Sequence, residues 1–219
     1  MSHVFDSIAE AYDRWYDTPE GAAVFRAECD CLLSVYNGPF DAWLEVGVGT
    51  GRFARALGIS TGLDPSTPML AIAARRGVET CGGTAERLPF RAGSFAGALM
   101  ALTLCFVADV PQVLKECSRV LQPGGHLLLG VVPADSAWGS AYIAKAGAGH
   151  AVYKHAQFRT AKEIAGLAEC AGFALCSTAG TLFWKPGETP ESDPQIRSSD
   201  VRKAGFLGLL LKKNSERRS

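Results

Sequence analysis

The stretch WLEVGVGTGRF, residues 43–53, places Gly47, Gly49 and Gly51 within five positions directly behind an apolar run. Glycine weakens regular structure, so such a cluster marks a tight turn or a backbone that a ligand must approach closely. The run before it reads as a strand, and Phe53, Ala54 and Leu57 after it belong to a short helix. A strand–turn–helix of this kind constrains the chain toward an α/β sheet, with the free N–H groups of the helix facing whatever occupies the turn.

The alternation continues. Strands are expected at 42–46, at 58–63 ending on Asp64, at 78–81, at 95–101 and at 126–132. Between them, Thr67 reads as an N-cap with Pro68 at the first helical position, and that helix stops at Arg75-Arg76-Gly77. Val110, Val113, Leu114, Cys117, Val120 and Leu121 form a core-facing helical stripe, and Pro123-Gly124-Gly125 turns the chain into the fifth strand. Residues 133–158 read as irregular. Thr160 and Glu163 form a capping box for a helix closed by Gly172. Two last apolar runs, 173–184 and 201–211, flank a polar, proline-bearing segment, which predicts an antiparallel pair with a long loop. Ahead of the first strand, Phe5, Ile8, Ala9, Tyr12, Trp15 and Tyr16 repeat at helical spacing, and a second helix is expected from about Pro19 to Tyr36. The fold class is therefore α/β: a doubly wound, Rossmann-like, mostly parallel sheet with a C-terminal antiparallel strand pair. No internal repeat or strong domain boundary interrupts the 219 residues, which read as one domain.

Charge and cysteine use narrow the partners. Lys plus Arg equals Asp plus Glu at 22 each, which argues against a general phosphate-backbone binder. The one local basic cluster, Lys212, Lys213, Arg217 and Arg218, reads as a solvated tail. Seven cysteines include no C-x-x-C pair and fall mostly in apolar surroundings, which fits a reducing, cytoplasmic setting. The first fifteen residues carry acidic groups and no apolar segment, so no signal peptide is expected. Residues 92–108 run without a charge, but Gly93, Ser94, Gly97 and Thr103 interrupt them and a spanning helix needs about 20 apolar residues. A buried strand and the turn after it explain the run, and no membrane partner is expected.

In an open parallel sheet, ligands lie beyond the carboxyl ends of the strands. A dinucleotide fingerprint is G-x-G-x-x-G; here its third position falls on Arg52, and Gly51 comes one residue early. The motif EVGVGTG (45–51) instead resembles motif I of the class I S-adenosylmethionine-dependent methyltransferases. GLDPSTPML (62–70), GGTAERLPF (82–90) and the segment 94–130 resemble later parts of that family in the same order and spacing. The nearest branch is the ubiquinone/menaquinone-type C-methyltransferases and their small-molecule relatives, the methyltransferase type 11 domain. The likeness covers residues 38–132 well and the whole chain loosely.

The resemblance implies a division into an N-terminal helical lid (1–37), a cofactor-binding core (38–132), a substrate-pocket segment (133–160) and a C-terminal helix and strand pair (161–219). It implies that Glu45 faces the ammonium end of the cofactor, that Gly47 and Gly49 let the cofactor approach the backbone, and that Asp64 accepts both ribose hydroxyls. Met69 would pack near the adenine, Thr84, Ala85 and Glu86 would frame its edge, and Leu102 and Thr103 would reach the methionine portion. Tyr12 and Tyr16 would touch the cofactor if the lid folds over it; otherwise their stripe, like Met69, is core packing.

Two departures stand out: relatives often carry an acidic residue at the position of Thr84 and an Asp at that of Ala96. Glu86 is a candidate to take over part of the first role. No catalytic residue is assigned; His155 and Tyr153 are candidates, and Tyr142, Tyr153 and His155 are candidates to touch substrate. His126, in a strand, reads as structural, and Cys105 as core rather than nucleophile. No metal-ligand spacing is present. The cofactor implied is S-adenosylmethionine, with S-adenosylhomocysteine as product. The partner implied is a small-molecule methyl acceptor rather than nucleic acid, since no Asn/Asp-Pro-Pro-aromatic motif follows the fourth strand. A cofactor-binding protein without turnover, and a nicotinamide-dependent oxidoreductase, stand as alternatives.

Overall fold

The computed structural model describes residues 2–190 and 194–214, with side chains from residue 4 onward. Arg217 and Arg218 lie outside the described residues. Three helices come first: α1 (Ser2–Asp6), α2 (Ala9–Trp15) and α3 (Pro19–Val35). Then β1 (Trp43–Val46), α4 (Arg52–Leu57), β2 (Thr61–Asp64), α5 (Thr67–Arg75), β3 (Glu79–Gly82), β4 (Phe95–Ala101), α6 (Val110–Val120) and β5 (Leu121–Val131) alternate. The chain closes with α7 (Ala137–Gly147), α8 (Ala161–Cys170), β6 (Phe173–Thr181) and β7 (Phe206–Lys213).

The strands make one seven-stranded sheet in the order β3-β2-β1-β4-β5-β7-β6. β1 to β5 pair in parallel, and β7 enters antiparallel between β5 and β6. The chain steps outward from β1 to β3, then returns to the other side of β1 with β4. That reversal opens a crevice at the carboxyl ends of β1 and β4, where ligands bind in doubly wound sheets.

Parallel strands are buried on both faces, and a core lies on each side of this sheet. On one face Leu44, Val46, Ala98 and Met100 pack against the α6 stripe, in which Val110, Val113, Leu114, Cys117 and Val120 are fully buried. On the other, Trp43, Leu99 and Leu128 pack against α3 and α4 through Leu32, Val35 and Phe53. Gly97 sits opposite Trp43 in register; a Cβ there would come within 2.1 Å of the indole, so the β1–β4 seam admits only glycine.

Several expectations are corrected. Ser66, not Thr67, caps α5: its Oγ accepts the Met69 N–H at 3.5 Å, and Thr67 and Pro68 fall within the first turn. The N-terminal stripe is broken into α1 and α2, with Ile8 in a non-helical conformation between them. Pro123-Gly124-Gly125 is a bulge inside β5, which already pairs at Leu121 with Phe95, and Gly124 supplies the positive φ of +74°. Residues 133–158 are largely helical: α7 starts where the Ser136 hydroxyl accepts the Gly139 N–H at 2.9 Å. Lys212 and Lys213 belong to β7 rather than to a solvated tail, and the Lys213 ammonium donates to the Leu121 carbonyl at 2.9 Å. Among the described residues no helix is long and apolar enough to cross a membrane, and residues 92–108 are β4 and its flanking turns.

Candidate functional site

A cavity of about 840 Å³ occupies the crevice. Its floor is the loop after β1, the end of β2 and the ends of β4 and β5; its roof is α1, α2, part of α3 and the α7 segment. A more open depression of about 500 Å³ lies outside it, in the seam between α2 and α5.

The three glycines of the loop do three different things. Gly47 has φ +77°, and a Cβ there would lie 2.2 Å from the Thr103 methyl, so it lets the loop pack on the end of β4. Gly51, at φ +79°, would press a Cβ against Ala73 at 2.9 Å and so permits α4 and α5 to approach. Gly49, at φ +52°, would meet nothing within 4 Å; it lines the cavity and leaves its backbone open to a ligand.

Asp64 ends β2 facing the same space. Its Oδ2 accepts the Gly49 N–H at 2.9 Å and its Oδ1 the Ser66 N–H at 2.8 Å. Burial raises its pKa, and the two N–H donors partly offset that rise. A carboxylate accepts about four hydrogen bonds. Asp64 therefore keeps acceptor capacity for a ligand.

Leu102 directly follows β4 with φ +57°, a left-handed conformation that non-glycine residues seldom adopt and that collects at functional sites. It is held there by its N–H, which donates to the Gly130 carbonyl at 2.8 Å. The Thr103 hydroxyl lies 3.2 Å from the Gly47 carbonyl and 3.1 Å from the Ala101 carbonyl, tying the β4 end to the glycine loop. Met69 is buried to 2% and lines the cavity beside Tyr12. Thr84, Ala85 and Glu86 line it as well, but the Glu86 Oε1 accepts the Ala108 N–H at 3.0 Å and so also anchors the loop after β4.

Glu45 does not reach the cavity wall. The alternation of β1 turns it under the loop, where it is 1% exposed and hydrogen-bonded to the Ala54 backbone, with Oε2 unpartnered among the described residues. Burial raises its pKa well above the usual carboxylate range.

The roof is latched by charge. Asp13 of α2 receives Arg52 at 2.8 Å and Arg76 at 2.7 Å, and Arg52 also reaches Asp17 at 2.8 Å. The guanidinium donors hold the Asp13 carboxyl down at about 2 despite its partial burial. Tyr12 and Tyr16 line the underside with hydroxyls 2.9 Å apart, and Tyr142 and Tyr153 of the α7 segment line it with rings stacked at 4.3 Å. Burial raises all four phenols, which keeps them protonated at neutral pH. The Cys105 thiol lines the cavity and is pushed up to about 12, which leaves it un-ionised and unsuited to nucleophilic attack at neutral pH.

His155 is corrected: it is exposed and does not line the cavity. The histidine at the rim is His150, whose Nδ1 accepts the Val152 and Tyr153 N–H groups at 3.3 and 3.4 Å. His126 lies at the opposite end of β5, 5.6 Å from the Tyr36 ring. The most consequential residue that sequence reasoning missed is Glu28 of α3, a cavity-lining carboxylate that is 3% exposed. The signal was present: Glu28 stands midway between Val24 and Leu32 on the buried stripe of its helix, where a charge is out of place. Among the described residues no group of His, Cys, Asp and Glu could hold a metal ion.

The methyltransferase domain family matches residues 44–129. A crystal structure from Thermotoga maritima, described as a SAM-dependent methyltransferase and possible histamine N-methyltransferase, superposes with a TM-score of 0.89 at 34% identity. The match covers 97% of this chain and 99% of that one. The chain belongs to the class I S-adenosylmethionine-dependent methyltransferases. An uncharacterized protein of Mycobacterium tuberculosis is 40% identical over 201 residues, 92% of this chain and 70% of that protein. The ubiquinone/menaquinone biosynthesis C-methyltransferase of Methylobacterium nodulans is 34% identical over 146 residues, 58% of this methyltransferase-family chain and 57% of the enzyme. The cofactor of the family is S-adenosylmethionine, as motif I implied, rather than a nicotinamide.

Proposed function

We propose that this chain transfers the methyl group of S-adenosylmethionine to a small-molecule acceptor held beneath the N-terminal helices. The observation that carries the reading is that one cavity joins the glycine loop and Asp64 to the tyrosine-lined chamber under the roof. Its volume of about 840 Å³ falls in the range of small-ligand pockets, about 300–1,000 Å³.

The residues present fit the cofactor. The backbone at Gly49 is open, Asp64 retains acceptor capacity for ribose hydroxyls, and Met69 with Ala85 offers an apolar surface to an adenine. The strained Leu102 and the Thr103 turn would face the methionine portion, with Thr84 and Glu86 at the adenine edge. Glu45 would act from beneath the loop, through the backbone it supports, rather than as a direct counter-charge. Tyr12 and Tyr16 would close over the ligand from above.

The bound cofactor supplies an electrophilic methyl group on a sulfonium. The chain then has to hold an acceptor atom in line with that methyl and keep water out. Orientation of this kind is worth roughly 7–11 kcal/mol of barrier, so a dedicated catalytic residue is not obligatory. Tyr142 and Tyr153 would form the acceptor wall. Neutral net charge supports a small acceptor over a nucleic acid, and seven free thiols support a reducing cytoplasmic setting.

The test is product formation: the purified chain is incubated with S-adenosylmethionine and panels of amines, phenols, thiols and activated carbon acids, and S-adenosylhomocysteine is quantified. Acceptor-dependent release supports the proposal. Tight cofactor binding with no release across the panels would favour a cofactor-binding protein without turnover.

A further inference from the structure

Glu28 has no assigned part in holding the cofactor, yet it is the most anomalous group in the chamber. It is 3% exposed, it lines the cavity, and its Oε2 finds no hydrogen-bond partner among the described residues. An isolated carboxylate in such a place stays ionised only when a cation joins it. The lysine and arginine side chains of the lining are engaged elsewhere: Lys145 lies over the Tyr142 ring at 5.6 Å, and Arg159 donates to Gln157 at 3.2 Å. The groups that feel Glu28 electrostatically include Tyr12, Tyr16, Tyr142 and Tyr153, which come from the roof and the α7 segment. Asp64, at the cofactor end, couples instead to Glu45.

An unpartnered carboxylate among aromatic faces is the combination that recognises an ammonium group, by charge and by cation–π attraction. We propose that Glu28 is the recognition residue for a cationic amine acceptor, which enters the chamber as an ammonium and pairs with this carboxylate between the tyrosines. The inference rests on the methyltransferase reading and names its substrate class. Before an ammonium nitrogen can attack, it must lose one proton, and Glu28 is placed to take it. Burial pushes the Glu28 carboxyl up to about 8, which brings it close enough to an amine to hold that proton. The nitrogen lone pair then makes the N–C bond as the S–C bond breaks, with that electron pair left on sulfur.

An ammonium also occurs on the cofactor itself, so the test separates the two sources. Calorimetry on the full chain, with S-adenosylhomocysteine saturating, compares 2-phenylethylamine and 4-phenylbutylamine with 2-phenylethanol and 4-phenylbutanol. The wild type is expected to bind an amine at least tenfold more tightly than its matched alcohol. Glu28→Gln should remove that preference while changing S-adenosylhomocysteine affinity less than twofold, and Glu28→Asp should restore part of it. Equal binding of amines and alcohols by the wild type would overturn the proposal. So would a tenfold loss of S-adenosylhomocysteine affinity in Glu28→Gln with the amine preference intact, which would assign Glu28 to the cofactor's own ammonium. Failure of the methyltransferase reading shows separately, as no binding of S-adenosylhomocysteine to the wild type. The amine–alcohol comparison on the ligand-free chain then still decides the role of Glu28.

Discussion

The Gly49 N–H donates to the Asp64 carboxylate across 2.9 Å, joining the loop after β1 to the end of β2 at the floor of the cavity. The bond holds the open glycine and the acceptor carboxylate in one rigid unit before any ligand arrives. Asp64→Asn should therefore weaken S-adenosylhomocysteine binding by roughly 10–100-fold, since hydrogen bonds to charged groups are worth about 1.5–3 kcal/mol. Calorimetry with a circular dichroism control for folding checks this.

The two glycines nearest the cavity should fail in different ways when replaced. Gly47→Ala drives a methyl into Thr103 and strains a φ of +77°, so a stability loss of roughly 2–4 kcal/mol is expected. Gly49→Ala meets nothing, so its stability loss should be about 1 kcal/mol, with cofactor affinity lost instead because the methyl occupies the ligand's space. Thermal melts with and without S-adenosylhomocysteine distinguish the two.

Asp13 should carry a pH signature of its own. Its folded pKa is held at about 2 against an ordinary value of 3.8, so its stabilisation is present above about 4 and is lost as pH falls through 2. Asp13→Asn should lower Tm at pH 7 by roughly 4–8 °C, taking about 2 kcal/mol for the broken pairs with Arg52 and Arg76, and should flatten the acid limb between pH 4 and 2. Melting curves across that range test the latch directly.

Glu28 runs the other way. Its pKa is raised from 4.5 to about 8, so the folded chain binds more protons than the unfolded chain between those values. Its contribution to stability is fully kept below pH 4.5 and declines as pH rises toward 8, by about 1.4 kcal/mol per unit at most. Glu45 and Asp64 are raised as well and act in the same direction, so the wild type alone cannot isolate the effect. The difference between wild type and Glu28→Gln in ligand-free urea melts at pH 5 and pH 8 isolates it, and the variant should be the relatively more stable at pH 8.

Much of this site could be read in advance because its parts are local in sequence. Gly47, Gly49 and Gly51 need their conformations whatever surrounds them, Asp64 follows its strand directly, and the Thr160–Glu163 capping box is a four-residue signal. The antiparallel β6–β7 pair was legible because a long polar loop separates two apolar runs. The α7 helix was not, since the apolar residues of AWGSAYIAKAG fall on too many sides to show an amphipathic stripe, although Ser136 offered a cap. His155 was named because it lies in the segment that the resemblance assigns to the substrate pocket; which histidine of that segment lines the cavity depends on which way the short 3-10 turn at Tyr153–His155 faces, and periodicity does not encode that. Glu45 illustrates the same limit at one residue: its motif position was clear, but strand alternation placed it beneath the loop. The Asp13 latch spans 39 and 63 residues, a separation no local pattern reports.

The most direct measurement is thermal unfolding with S-adenosylhomocysteine, against NAD, on wild type and Asp64→Asn. A ligand at 100 times its Kd adds about 2.7 kcal/mol, which for a chain of this size raises Tm by roughly 5–10 °C. A rise of that size with S-adenosylhomocysteine, reduced in Asp64→Asn and absent with NAD, is the predicted result. No rise with S-adenosylhomocysteine at saturating concentration would contradict the assignment of the glycine loop and Asp64 as the cofactor site.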